Sequence, residues 1–461
     1  MPRTPDPMPD LMPERPTMTT DLFERMTAAI ERLRPTHPMG RVSGASGGMI
    51  TVSGLHHVAR LGHRAQVREA DRILLAEVIR IQGDTVYLLP EGPADGICVG
   101  DRVQLDPPAA FAPDDSWIGR VVDPDGNPLD GKPLLPGLTP RHIHANPPAP
   151  HTRRAMGGRL DTGFAVFNTL LPLARGQRIG LFAGSGVGKS TLLADLARMV
   201  QADVIVIGLV GERGRELRHF VEEVLGPEGM KRSVVVAATS DRAPQVRRRA
   251  AQAATAVAEY FRDTGAQVLL LIDSVTRFAE AHRELAVAAG EPAALRGFPA
   301  STGPSIAALC ERAGPGSGDA GDITAIYSVL VAGSDMDEPV ADMLRGVLDG
   351  HVVLDRTIAE RGRFPAVDLL RSVSRCLPAV ASAPENALIS EARGLLGTYD
   401  RAELMIQSGL YTPGSDPGID AAIAVHPALE KFLAQRDPQG ATASFAALRN
   451  AMTRPNRTAR S

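Results

Sequence analysis

The spacing of apolar residues divides this chain into stretches of different period. From Asp21 to Arg34, Leu22, Met26, Ile30 and Leu33 recur at spacings of 4, 4 and 3 among Glu24, Arg25, Glu31, Arg32 and Arg34. That period lines the apolar residues along one face of a helix, free either to pack on the domain that follows or to dock a partner. Residues 1 to 20 carry prolines at 2, 5, 7, 9, 13 and 16 with almost no apolar bulk, and are predicted to be disordered. Between Gly40 and Leu105 the pattern shortens to β-type runs, Met49–Val52, Ile73–Ile81 and Thr85–Leu89, broken by glycines and by Gly83-Asp84. Regular short strands with such turns predict a small barrel. A Pro/Gly-rich connection then runs from Pro107 to about Pro150.

From Gly180 to Arg375 near-continuous apolar strands alternate with helical runs. The strands are Arg178–Phe182, Val204–Val210, Val234–Ala238, Val268–Ile272 and Ile323–Val331; the helices include Thr191–Met199, Pro244–Phe261 and Arg277–Ala288. Apolar strands joined by helical crossovers imply an α/β fold, a mostly parallel sheet covered on both faces. After Pro378 no strong strand is predicted. Ala392–Gln407 and His426–Gln435 read as helices, split by a turn over Tyr411–Pro417. The glycines and serine at 314 to 321 read as a flexible loop, and a polar tail with Arg449, Arg454, Arg457 and Arg460 as frayed.

Composition narrows the possible functions. A length of 461 residues allows two to four domains. With 50 basic and 53 acidic residues, no overall positive field recruits nucleic acid or an anionic membrane. Aromatics are only 4%, with Trp117 the single tryptophan, which disfavours stacking platforms for single-stranded nucleic acid. Cys98, Cys310 and Cys376 make neither a disulfide framework nor a structural zinc site by themselves, which implies a reducing compartment. The longest apolar runs, Val204–Val210 and Val268–Ile272, fall far short of a membrane span of roughly 18 residues, and no secretory signal pattern precedes them. A soluble cytosolic protein is the expectation. Only four of the basic residues are lysines, Lys132, Lys189, Lys231 and Lys431, so each lysine kept in an arginine-rich chain invites a reason.

Lys189 supplies one. Residues 183 to 190 read Ala183, Gly184, Ser185, Gly186, Val187, Gly188, Lys189, Ser190, after an apolar strand and before the helix that continues at Thr191. This is a phosphate-binding loop (P-loop). Its glycines turn backbone N–H groups inward, the helix N-terminus adds positive potential, Lys189 reaches the terminal phosphates, and Ser190 can hold magnesium. Ala183 stands where the strict pattern has glycine, which matters little if φ there is negative. Asp273, directly after five apolar residues, is the second acid a metal needs, with a helix N-cap as the structural alternative. Glu212 follows the apolar run Val204–Val210 at the sheet edge where such folds place ligands. It is placed to orient or deprotonate water, with Arg213 beside it for charge; an Arg–Glu surface pair is the alternative.

Six motifs in order, 180–190, 210–216, 258–263, 273–278, 348–356 and 372–375, resemble the flagellar type III export ATPases, relatives of the catalytic and nucleotide-binding subunits of rotary ATP synthases. The resemblance runs from about Gly40 to Gln435. It implies a P-loop (RecA-like) core between an N-terminal β-barrel and a C-terminal helical domain: residues 1–37 tail and amphipathic helix, 38–107 barrel, 108–380 ATPase core, 381–461 helical domain and tail. It implies ATP and Mg²⁺, with Glu212 catalytic, Arg213 and Arg277 at the terminal phosphate, and Asp273 associated with magnesium. Phe364 matches an aromatic that stacks on adenine, although alone it reads as a core residue, and Arg375 matches an arginine finger donated by a neighbouring subunit.

Because the glutamate and the finger are both present in one chain, identical copies can complete each other's sites, and a ring of like subunits is the economical reading; the resemblance makes it six. It also implies a stator-like regulator at the N-terminal helix, a stalk protein, a membrane export gate, export substrates and chaperones, and a cytoplasmic position at the inner face of the membrane. The chain departs from the family at Arg296–Pro304, where Gly-Phe-Pro-Ala-Ser-Thr-Gly replaces the usual Gly-Tyr-Pro-Pro-Ser-Val-Phe, so no stalk contact is carried over to that loop. Three other readings compete. A virulence-secretion ATPase is the nearest, set against the Ala-Gly-Ser-Gly-Val and Val-Leu-Asp-Arg sequences. An RNA translocase is disfavoured by the few aromatics and acidic balance, and a non-catalytic synthase subunit by Glu212, because such subunits usually carry glutamine there.

Overall fold

A computed structural model describes residues 18–31, 33, 36–69, 72–107, 111–331, 336–437 and 439–453. The disorder expected of residues 1 to 20 falls outside these for 1–17 and is overturned for 18–20, which open a helix; Arg454, Arg457 and Arg460 of the expected tail also fall outside. Helix α1 (Met18–Glu31) comes first. Six antiparallel strands follow, β1 (Met39–Ser46), β2 (Met49–Ser53), β3 (Arg64–Glu69), β4 (Arg72–Gln82), β5 (Thr85–Pro90) and β6 (Arg102–Leu105), closed in the order β1-β2-β5-β4-β3-β6. Alternate residues Ile50, Val52, Val67, Val86, Leu88 and Val103 fill the interior. Closure leaves no strand edge to pair with other chains.

The second sheet has eight strands in the order β14-β13-β8-β12-β11-β9-β10-β7. They are β7 (Val121–Val122), β8 (Arg178–Ala183), β9 (Val204–Glu212), β10 (Ser233–Thr239), β11 (Val268–Asp273), β12 (Ile323–Leu330), β13 (Gly350–Leu354) and β14 (Val367–Ser374). All neighbours pair in parallel except β13 with β14. The helices of this region are α2 (Ala165–Asn168), α3 (Lys189–Met199), α4 (Gly214–His219), α5 (Gly226–Met230), α6 (Pro244–Asp263), α7 (Val275–Ala288), α8 (Thr302–Glu311), α9 (Pro339–Val347) and α10 (Arg356–Glu360). Both faces of the sheet are buried, so its strands need no polar alternation. Leu269 and Leu271 of β11 pack toward α3 on one face, and Leu270 and Ile272 toward α6 and α7 on the other. Three more helices, α11 (Ala383–Gln407), α12 (Pro417–Leu433) and α13 (Ala441–Met452), pack on the α3 side through Ile389, Leu429, Phe432, Phe445 and Leu448.

Several expectations are corrected. The region around Arg449 is not frayed: it is the folded helix α13, anchored by buried Phe445 and Leu448. Helix α11 begins nine residues before Ala392, where Ser382 and Glu385 form a capping box. Helix α12 begins at Pro417, capped by the Asp416 carboxylate, which accepts from the backbone N–H groups of Gly418 and Ile419. The 314–321 loop is not loose. A Cβ added at Gly321 would lie 1.8 Å from the Ala266 carbonyl oxygen, and Arg154 donates to the carbonyls of Gly318 and Ala320. The Pro/Gly-rich connection is also structural, since it buries Phe111 and Trp117 edge to face and contributes β7.

Helix α1 does not use its apolar stripe to pack on the barrel. Arg25 reaches across to Asp114 at 2.9 Å and Ser116 at 3.2 Å, with Ala28 and Ala29 partly buried. Phe23, Met26 and Ile30, followed by Leu33, face outward and are exposed.

Candidate nucleotide site

Four adjacent strands, β8, β12, β11 and β9, bring the candidate residues together at their carboxyl ends, where parallel sheets place ligands. β8 ends at Ala183 and the chain turns through residues 184–188 into α3. Gly186 and Gly188 have φ of 78° and 82°, values that cost an L-residue roughly 1–2 kcal/mol. Ala183 carries no such strain: it is the last residue of a buried strand, and Arg296 is the one non-glycine with positive φ among the described residues. The substitution of alanine for glycine there is therefore harmless to the turn. Val187 is buried beneath the loop, while Ser185, Ser190 and Thr191 face solvent.

Lys189 opens α3 and its Nζ forms an ion pair with Asp273 Oδ1. Asp273 ends β11 and is buried. It is not a helix cap, because Ser274 fills that role, its Oγ accepting from the Arg277 backbone N–H at 3.3 Å. Glu212 ends β9 and is half-buried. Burial, joined by the nearby Asp273 charge, pushes its carboxyl up to about 7 against the opposing pull of Lys189, and a hydrogen bond with Glu216 contributes.

The arginines are placed differently. Arg277 lies beside the β9 terminus: its Cβ and Cγ would each sit 3.4 Å from a Cβ at Gly211, and its hydrogen bond to Glu280 first, then the Glu212 charge, hold its guanidinium proton. It donates to Glu280 at 2.8 Å. Arg213 does not join the Lys189–Asp273 cluster; it is mostly exposed and 3.7 Å from Glu216. Phe364 is not a core residue. It is 52% exposed, and its ring would be 3.2 Å from a Cβ at Gly188, which places it directly against the P-loop.

Arg375 lies at the opposite edge. It follows β14, its backbone N–H donates to the Asp349 carbonyl, and its guanidinium donates to the carbonyls of Leu348 at 3.1 Å and Arg345 at 3.2 Å. Asp349 also accepts from the backbone of Arg178, the first residue of β8. Arg375 is thus at the amino end of β8, whereas Lys189 lies beyond its carboxyl end. The six residues of β8 alone separate the two by about 16 Å at ~3.3 Å per residue. No rotamer of Arg375 spans that distance within one chain.

Two participants carry no role in the sequence reading. Ser328 of β12 donates from Oγ to Asp273 Oδ1 at 2.6 Å and is fully buried. Its signal is a hydroxyl two residues before the end of a mostly apolar, buried strand. Glu216, in the first turn of α4, ends the 210–216 motif four residues after Glu212 and links that carboxyl to Arg213.

The nucleotide-binding domain of the ATP synthase alpha/beta family matches residues 163–374, and the T3SS EscN ATPase C-terminal domain matches 381–454. The chain is 44% identical to the Flagellum-specific ATP synthase of Caulobacter vibrioides, covering 90% of this chain and 96% of that one. It is 41% identical to the Type 3 secretion system ATPase of Xanthomonas euvesicatoria, covering 93% and 96%. Among solved structures, the assembled ATPase EscN from the type III secretion system of enteropathogenic E. coli superposes with a TM-score of 0.82 at 38% identity, covering 90% of this chain and 100% of that one. EscN in complex with its central stalk EscO superposes with a TM-score of 0.79 at 38% identity and the same coverage.

Proposed function

From its place in the flagellum-specific ATP synthases, the family to which this chain belongs, we propose that it is the ATPase of a flagellar type III export apparatus, working as a ring of identical subunits. The enzyme hydrolyses ATP. The observation that carries the reading is the division of the site: Lys189, Asp273 and Glu212 meet at the carboxyl ends of β8, β11 and β9, while Arg375 sits at the far edge of the same sheet.

Backbone N–H groups of residues 184–188 cradle the phosphates, and Phe364, already against Gly188, stacks on adenine. Lys189 and Asp273 neutralise each other's charge. Lys189 exchanges this carboxylate for the terminal phosphates. Magnesium takes oxygen ligands, commonly one or two carboxylates or a hydroxyl together with phosphate oxygens and water. The Ser190 hydroxyl and the Asp273 carboxylate are donors of that kind on either side of Lys189, so the residues fit the ion, and these two would hold it. Bound there, it supplies charge neutralisation on the phosphate oxygens.

Glu212 orients the attacking water and takes its proton. A carboxyl raised to about 7 suits that work near neutral pH, because a base is most useful when its pKa lies close to the working pH. Arg277 beside it, and Arg213 once freed from Glu216, neutralise charge on the transferring group. Arg375 acts in the site of a neighbouring copy. A face carrying the finger and a face carrying the P-loop form a heterologous interface, and such interfaces generate a ring when the rotation closes; six copies complete it.

A central stalk protein occupies the ring, a role suggested by the complex of assembled EscN with its central stalk EscO. The outward stripe Phe23, Met26, Ile30 and Leu33 of α1 and its extension receives a stator-like regulator. Export substrates with their chaperones and a membrane gate are the remaining partners. The ring lies in the cytoplasm against the inner face of the membrane; no helix among the described residues is long and apolar enough to cross it. A virulence-secretion role is the second reading, favoured by the 41% identity to the Xanthomonas euvesicatoria protein. Restoration of swimming in a strain lacking its flagellar export ATPase distinguishes the two.

The reading is tested by phosphate release from purified protein at rising protein concentration, with and without nucleotide preincubation. Specific activity that climbs steeply with concentration supports shared sites. Flat specific activity down to the monomer overturns the ring.

A further inference from the structure

Strand β12 lies between the strand that leads into the P-loop and the strand that ends in Asp273. Its register sets Tyr327 beside Ile272 and Ser328 beside Leu181, so that Ser328 comes level with Asp273. Ser328 is fully buried, and its hydroxyl is not spent on a nearby backbone carbonyl, as the hydroxyls of Thr255 and Thr169 are on Ala251 and Ala165. It donates at 2.6 Å to Asp273 Oδ1, the same oxygen that Lys189 engages. One carboxylate oxygen therefore has two donors of different kinds. Lys189 sits on a long flexible stem and is the group that exchanges Asp273 for phosphate; Ser328 is fixed to a central strand by ladders on both sides.

We propose that Ser328 is a positioning residue: its hydroxyl holds the Asp273 carboxylate oriented toward the magnesium of Mg·ATP after Lys189 has moved to the phosphates. The inference rests on the ATPase reading above and adds a residue to it. Without the hydroxyl, the carboxylate keeps its charge but loses its fixed donor at the moment the lysine leaves. The defect then belongs to the metal-loaded state and not to the apo chain or to nucleotide without metal.

Ser328→Thr and Ser328→Val are the informative pair, since they add nearly the same volume and differ by the hydroxyl. Equilibrium binding of a fluorescent ATP analogue is followed in EDTA and across a Mg²⁺ titration. Loss of a hydrogen bond to a charged group is worth about a factor of ten or more, so Ser328→Val should need about tenfold more Mg²⁺ for half-maximal binding. Ser328→Thr should stay within about threefold of wild type, and all three proteins should bind alike in EDTA. Valine and threonine variants with the same Mg²⁺ dependence, or a valine defect equally large in EDTA, would overturn the assignment. Asp273→Asn, measured in parallel, separates this from the parent reading. If that variant keeps the wild-type Mg²⁺ dependence, the assignment of the metal site fails as a whole; if it loses it while valine does not, only the role of Ser328 fails.

Discussion

Replacing Glu212 by glutamine should stabilise the unliganded fold while abolishing turnover. The wild-type carboxyl is raised from 4.5 to about 7, first by burial and then by the charge of Asp273. The folded state therefore holds this proton more tightly than the unfolded chain does. Stability is present at low pH, declines as pH rises from about 4.5 toward 7, and is lowest above 7. Unscreened, the rise corresponds to about 3 kcal/mol, and solvent at this half-buried site screens it to about 1–2 kcal/mol. Glutamine imitates the protonated form at every pH. The variant should be more stable than wild type by about 1–2 kcal/mol at pH 8, and the two should converge near pH 4, below the unfolded carboxyl's 4.5. Urea unfolding can be followed through Trp117, the sole tryptophan, buried in the core that also holds Val210 and Val236. A wild type at least as stable as the variant at pH 8, or a gap at pH 4 as large as at pH 8, would refute the view of Glu212 as a strained base.

Two further perturbations test other parts of the site and surface. Gly188→Ala forces a side chain into φ 82° and sets its Cβ 3.2 Å from the Phe364 ring, so nucleotide affinity measured by equilibrium titration should fall by about tenfold or more; unchanged affinity would mean that the loop adopts another conformation when loaded. Phe23→Asp with Ile30→Asp places charge on the outward stripe of α1, which should leave hydrolysis by the isolated protein unchanged and remove co-purification of the stator-like regulator from the native host.

Most of the site could be read from residue order because P-loop chemistry is local: residues 183 to 190 lie in one turn, and Asp273 and Glu212 each end a strand whose apolar run announces it. Ser328 could not be read that way. Its role depends on β12 lying between β8 and β11, a neighbour relation that periodicity along one strand does not contain. Strands β13 and β14 go beyond those the pattern predicts, since β13 has only five residues and Asp368, Arg371, Ser372 and Ser374 interrupt the apolar content of β14. Helix α13 is obscured by the arginines around it, although Phe445 and Leu448, three apart, mark its buried face. The stripe of α1 has the right period for a packed helix, but its partner in this chain is reached through Arg25 and not through the stripe. Amphipathicity establishes that a face must be covered and leaves open by what.

The central claim, that each site is completed by a neighbour, is tested most directly by mixing two dead proteins. Arg375→Ala should lose turnover by about 10³ or more, as trans arginines do in related phosphoryl transfer, while binding nucleotide normally. Glu212→Gln is dead for a different reason. In a ring assembled from equal amounts of both, about one interface in four joins an intact glutamate to an intact finger. The account predicts ATP hydrolysis by the mixture far above the residual rate of either component alone. A mixture as inactive as its parts, in rings shown to contain both variants, would contradict it.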